Sequence, residues 1–286
     1  MSSPEVRRVA TGFQFTEGPV LLPDGDLLFS DIHRSRIYRL SRGKISVYLD
    51  RPGMHPNGLA LDLSGQLIIC EHGRRCLSRQ RRDGRIEVLS RDFEGRRLNS
   101  PNDVIVDSQG VIYFTDPPYG LAGRDLDPQK ELPFHGLFRW HEGSLRLLCD
   151  AMAKPNGLAL SPDEQFLYVA NSDPADMYWN RFPLYADGSI GAPIRLLSFP
   201  SGDAGVPDGL KVRPDGSLLA TGPGGILLLS AEGELGGRIP IPEIPANLAL
   251  DPDGSLWVTA RTSIYVVSRS FIEWGWPSRR PDGSDC

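Results

Sequence analysis

Five residues with side-chain oxygens hold the same position in a repeated pattern: Glu17, Asn57, Asn102, Asn156 and Asp208. Each opens a short apolar run, followed by a polar turn and a second apolar run. Two carboxylates and up to three amide carbonyls, with no thiolate, form a hard-oxygen donor set. That set suits Ca2+ first, with Mg2+, Mn2+ or Zn2+ as alternatives. Asn and Asp also open strands for a plainer reason, by bonding to nearby backbone. Any one of these residues alone would be read that way. Five at one register position point instead to a common focus.

The elements that must position them follow from the repeat. It is written "EGPVLLPDGDLLFSD" from Glu17, "NGLALDLSGQLIICE" from Asn57 and "NDVIVDSQGVIYFTD" from Asn102. It returns as "NGLALSPDEQFLYVAN" from Asn156, "DGLKVRPDGSLLATG" from Asp208 and "ANLALDPDGSLWVTA" from Ala246. Successive copies lie 40, 45, 54, 52 and 38 residues apart. Short strands repeating at this period predict an all-β, six-bladed β-propeller. In the first copy, Pro19–Leu22, Leu27–Ser30, Arg36–Leu40 and Ile45–Leu49 read as four antiparallel strands, with Pro23–Asp26 as the first turn.

Because the chain reverses at each turn, the six strand starts share one face and converge on the axis. Ala246 breaks the pattern. Asn247 is one residue out of step and is expected to point away, so that blade six supplies no ligand. Blade six also lacks a good fourth strand, and Val6–Ala10 is expected to fill that place and close the ring. Residues 1–286 thus read as one domain, with a tail from about residue 270.

Composition excludes several classes. A net charge of −5 disfavours a nucleic-acid partner. No apolar stretch approaches a membrane span of roughly 18 residues. The N-terminal residues lack the apolar segment of a signal peptide. The four cysteines show no CxxC spacing, so a reduced, cytoplasmic protein is expected, as monomer or small homo-oligomer. The six arginines of Gly73–Arg85 are expected to form a solvated edge far from the channel mouth.

The connection between Asp116 and Gly136 is long for a compact domain, which suggests a lid. Its "PPY" and "LPF" segments favour a packed cover. Tyr119 is a candidate for binding substrate hydroxyls, and His135 and His72 are candidates at the mouth. Asp31, His55, Glu71 and Asn171 are expected to be structural rim residues.

The stretches "FTEGPVLLPDGDLLFSDI", "HPNGLALD", "NSPNDVIVDSQGVIYFTDPPYG", "KPNGLALSPDEQFLYVANS" and "GVPDGLKVRPDGSL" resemble the gluconolactonase/regucalcin (senescence marker protein) family. "FTDPPYG" and "ELPF" are similar to its bacterial and fungal gluconolactonase branch. The resemblance implies one divalent metal at the channel mouth, held by Glu17, Asn156 and Asp208. Asn102 would sit at the metal or on the substrate. Regucalcin-type members carry an Arg two residues before that Asn; here Ser100 stands there, on the substrate side. Position and resemblance together favour Asp208 as the base that activates water, with Glu17 balancing the metal's charge, although the sequence alone does not rank the two. The expected activity is opening of a sugar lactone or similar small cyclic ester. Two alternatives use the same frame: hydrolysis of phosphotriesters at the same metal site, and a non-catalytic binding platform with a structural ion.

Overall fold

A computed structural model describes residues 4–199 and 204–268. Its strands form six four-stranded antiparallel sheets, the blades of a propeller. In blade one the inner strand Thr16–Leu21 pairs with Leu27–Asp31. Arg36–Ser41 and the outer Lys44–Asp50 follow. The first turn closes where the Leu22 carbonyl accepts the Gly25 N–H at 2.9 Å, with Gly25 at φ 85°. Glycine takes that left-handed conformation at no steric cost. The remaining inner strands are Pro56–Leu61, Val104–Val106, Pro155–Leu160, Leu210–Val212 and Pro245–Leu250.

The apolar runs are continuous because both faces of each sheet are buried. In the second strand of blade one, Leu27 and Phe29 pack with Ala249 and Ile264 of blade six. Leu28 between them packs with Leu59 and Ile69 of blade two. Period-two alternation therefore feeds two cores rather than one core and solvent. Blade three repeats this: Ile112 and Phe114 join Ile68 and Leu77, while Tyr113 joins Leu158 and Val169. The core is thus a set of wedges between neighbouring blades. Full burial of such side chains contributes about 1.5–3 kcal/mol each.

Blade six takes its fourth strand from the N-terminus, as expected. Val6–Thr11 pairs with Ser263–Val267, Val6 facing Val267 and Thr11 facing Ser263. A small hairpin, Asp92–Phe93 with Arg96–Arg97, lies outside the six blades and has no counterpart in the repeat. The expected tail from about residue 270 lies outside the described residues. Among those described, no helix is long and apolar enough to cross a membrane.

Candidate active site at the channel mouth

The inner-strand starts do meet. Glu17, Asn57, Asn102, Asn156 and Asp208 line one cavity of about 380 Å³, with His72, Tyr119 and Arg124 in its walls. Their backbone is held by ties between blades rather than by regular pairing. The ladder slips between Glu17 and Val20, between Pro56 and Leu59, and between Pro155 and Leu158. Ser30 Oγ of blade one donates to the Asn57 carbonyl of blade two at 2.7 Å. Thr115 Oγ1 donates to the Asn156 carbonyl at 2.8 Å, and Thr221 Oγ1 to the Ala246 carbonyl at 2.9 Å.

The glycine that follows Glu17, Asn57, Asn156 and Asp208 is a steric requirement. A Cβ on Gly18 would lie 2.1 Å from the Asn57 carbonyl oxygen, and one on Gly157 would lie 2.1 Å from that of Asp208. Neighbouring blades can approach this closely only without a side chain there.

Blades three and six depart from this rule, carrying Asp103 and Asn247 instead. The expectation that Asn247 points away is overturned. Its Nδ2 donates to Glu17 Oε2 at 3.1 Å and to Asp103 Oδ2 at 3.3 Å. Parity predicts side-chain direction only in a regular ladder, and this one slips between Pro245 and Asn247. In a six-membered ring blades three and six stand opposite, so the contact with Asp103 crosses the channel.

Three carboxylates, Glu17, Asp103 and Asp208, therefore share the axis, with Lys211 near Glu17 and Asp103. Burial pushes Glu17 up to about 7, and the charge of Asp103 adds to it. Burial also holds Asp208 well above the usual carboxylate range, with the charges of Glu17 and Asp103 adding; the Asn156 amide bonds to it and works the other way. Such a cluster is short of positive charge, and its all-oxygen donors are those a hard cation takes. Among the described residues, no three His, Cys, Asp or Glu side chains form a metal cage by themselves. Holding an ion here requires amide oxygens of Asn102 and Asn156 beside Glu17 and Asp208, and the donor set fits.

Of the other expected residues, His72 and Tyr119 belong to the cavity. His72 Nε2 lies 2.9 Å from Asn57 Nδ2, and burial pushes its pKa down to about 3. Burial thus favours its neutral form. The Arg124 guanidinium stacks over the Tyr119 ring at 5.3 Å. Ser100 and His135 are not in the cavity walls. The buried Ser100 Oγ donates to the Pro117 carbonyl at 2.6 Å and accepts from the Gly120 N–H at 2.8 Å. His135 Nε2 pairs with Asp125 Oδ1 at 2.6 Å. Both brace the lid rather than face a ligand.

That lid is packed, with Leu121 and Leu132 buried and one 3-10 turn at Arg124–Leu126. Arg75 corrects the reading of the arginine run. It is buried under the lid, its Nη1 donating to the Gln129 carbonyl and its Nε to that of Leu98, both at 2.8 Å. Elsewhere in the run, Arg79 pairs with Asp62, Arg81 with Glu87 and Arg85 with Asp83, as an edge would.

Three rim side chains hold backbone, a structural role expected for Asp31 and Asn171 and shared by Asp116. Asp31 accepts the Gln14 and Phe15 N–H groups, and Asn171 accepts that of Lys154 at 2.8 Å. Asp116 does the same for Asn99 and Ser100, both at 2.7 Å. Each latches the end of a blade's second strand to the segment entering its first.

A six-bladed propeller with carboxylates and amides at one channel mouth, beneath a packed lid, is the class that fold and site define. Residues 15–262 match the family described as SMP-30/Gluconolactonase/LRE-like region, and the chain belongs to that family. It is 35% identical over 269 residues to the gluconolactonase of Zymomonas mobilis, covering 83% of this chain and 72% of that protein. A gluconolactonase structure from Xanthomonas campestris superposes with a TM-score of 0.85 at 33% identity, over 92% of this chain and 89% of that one. A calcium-binding regucalcin from Agrobacterium tumefaciens gives a TM-score of 0.74 at 18% identity, over 94% and 96% of the two chains, which is a likeness of fold.

Proposed function

We propose that the protein opens a sugar lactone or a similar small cyclic ester. The observation that carries this reading is the convergence of Glu17, Asn102, Asn156 and Asp208 in one lidded cavity. Its volume of about 380 Å³ falls within the roughly 300–1,000 Å³ of small-molecule sites. The relatives named gluconolactonase support the same class of substrate. A divalent cation, Ca2+ before Mg2+, Mn2+ or Zn2+, would be held by those four residues; it would supply positive charge to polarise the substrate carbonyl and would keep the carboxylates ionised at neutral pH.

Asp208 is the base in this scheme. Its carboxylate accepts a proton from water as the water oxygen bonds to the carbonyl carbon. The ring C–O bond then breaks, and Asp208 returns the proton to the departing oxygen, releasing the open hydroxy acid. Tyr119 meets the hydroxyl groups of the substrate, and the lid fixes its orientation.

The test is a hydrolysis panel of lactones with one phosphotriester, run before and after chelation, with metal content checked by elemental analysis. Lactone opening that is lost on chelation and restored by Ca2+ is the expected result. Full activity in verified metal-free protein removes the cation from the scheme. Failure on every lactone removes the hydrolase itself.

A further inference from the structure

The two blades that break the glycine rule stand opposite each other, and their side chains meet. We infer that Asn247 is a positioning residue: with Asp103 it forms a strut across the channel that fixes one oxygen of Glu17 and leaves the other for a cation. The inference rests on Glu17 being a ligand, as proposed above.

The hydrogen bonds are specific to this task. Glu17 Oε2 takes two donors, the Gly18 N–H at 2.7 Å and Asn247 Nδ2 at 3.1 Å. The carboxylate is thereby oriented with Oε1 as its open oxygen. The Asn247 amide is fully used, since its Oδ1 accepts the Leu248 N–H at 2.9 Å while Nδ2 serves both carboxylates. Asp103 is held in a similar way: Oδ1 accepts the Val104 N–H at 2.9 Å, the Leu158 N–H also bonds to the carboxylate, and Oδ2 accepts from Asn247. Asn247 is 3% exposed and Asp103 4%, so bulk water does not compete for these bonds.

The preceding blades make room for both. A Cβ on Gly58 would lie 2.8 Å from Asp103 Oδ1, and one on Gly209 would lie 2.0 Å from Asn247 Oδ1. An amide is the chemistry this place asks for. It offers two N–H donors to two carboxylates without bringing a charge. Lys211 already brings one positive charge near Glu17 and Asp103, and a carboxylate in place of the amide would repel both. Partners that orient a metal ligand typically govern affinity about 10–100-fold.

The test is Ca2+ calorimetry on the wild type, Asn247→Leu, Glu17→Asp and the double variant, with circular dichroism and metal-free melting as checks on folding. In Asn247→Leu the Ca2+ dissociation constant is expected to rise about 10–100-fold. The shorter carboxylate of Glu17→Asp is withdrawn from Asn247, so adding Asn247→Leu to it is expected to cost less than about 3-fold. Equal losses in the two backgrounds, or a lowered melting temperature with an unchanged dissociation constant, overturn the proposal. If Asn247→Leu does not fold, the smaller polar Asn247→Ser is judged by the same criteria. A wild type that binds no divalent ion overturns the ligand reading of Glu17, and the strut's role with it. A wild type that binds Ca2+ beside an unaffected variant overturns the strut alone.

Discussion

The same six inner strands build both ends of the axial channel, and the two ends differ in chemistry. At the mouth the strands present Glu17, Asn102, Asn156 and Asp208. At the far end they line a larger cavity of about 640 Å³ with apolar side chains such as Leu21, Leu61, Val106 and Leu250, joined by Lys211 and Arg213, and no carboxylate or amide side chain takes part. The strut of Asp103 and Asn247 lies across the channel between them. The difference shows where a propeller can change its chemistry. A strand start lies beyond the regular ladder, held by hydroxyls and carbonyls of the next blade. Its side chain can change without disturbing the sheet. Farther along the strand, every residue is part of a wedge or a wall.

Asp208→Asn should give the largest effect. It keeps an oxygen for a cation but removes the proton acceptor, so kcat at saturating metal should fall by roughly 10²–10⁴-fold, the usual share of a positioned base. Elemental analysis of the variant separates lost chemistry from lost metal. Retention of most of kcat in the loaded variant would move the base to Glu17 and weaken the contrast between the two ends.

Glycine gives the next test, because it serves each end differently. Gly157→Ala forces a Cβ against the Asp208 carbonyl, where the clash is with backbone and cannot relax cheaply. Overpacking of this kind typically costs 1–3 kcal/mol or more. Gly25→Ala, in a far-face turn, meets no atom within 4 Å and bears only the strain of φ 85°, roughly 1–2 kcal/mol. Urea unfolding should rank Gly157→Ala as the worse, and only Gly157→Ala should also disturb kcat. The reverse ranking would mean that the ring of strand starts is looser than its geometry implies.

A third test uses pH. The folded-state pKa of Glu17 is about 7, above its ordinary 4.5. The folded protein therefore holds this proton more tightly than the unfolded chain. The associated stability is present below about 4.5 and is lost as pH rises through about 7. His72, shifted down to about 3, has the opposite sign, while Asp116, raised to about 7, and Asp208 share that of Glu17, so the raw pH profile mixes them all. Comparison with Glu17→Gln isolates the carboxylate. Metal-free Glu17→Gln should match the wild type at pH 5 and exceed it at pH 8 by on the order of 1–3 kcal/mol. Ca2+ should erase that advantage. Equal stability at both pH values would contradict a buried, cation-deficient cluster.

The fold was legible because the repeat carries three signals at once: period, apolar runs and turn chemistry. Burial on both faces explains why the runs are continuous, and the missing fourth strand of blade six pointed to Val6–Ala10, one residue short of the observed Val6–Thr11. The strand-start cluster was legible for the same reason, since register repeats with the blade. Asn247 was misread because a slipped ladder cancels the parity on which its direction was judged. Its signal was present all the same: "ND" at Asn102 and "AN" at Ala246 are the copies without the glycine, and they are three blades apart. Ser100, His135 and Arg75 were misplaced for another reason. All three brace the lid, whose path is fixed by long-range bonds such as Arg75 to Gln129 and leaves no periodic trace in the sequence.

The smallest effect is expected at the far end, and its smallness is what makes it informative. Val106→Thr keeps the shape of the side chain and exchanges a methyl for a hydroxyl. Val106 lines the larger cavity and is only partly buried, so the hydroxyl can reach water. What is lost is part of its packing against the wedge shared by blades two and three, about 0.5–1 kcal/mol by the usual cost of trading apolar burial for a hydroxyl. Blade three also carries Asn102 and Asp103, so a strand that transmitted strain along its length would pass this change straight to the mouth. If the strand start is held instead by its ties to neighbouring blades, kcat, KM and the Ca2+ dissociation constant should all stay within about 2-fold of wild type. The Asn102 N–H bonds to the Thr115 carbonyl and the Asn102 carbonyl accepts the Gly58 N–H, both at 2.8 Å, and neither bond involves Val106. A larger change in Ca2+ affinity at constant stability would show that the two ends communicate, and that the strut is a lever rather than a partition.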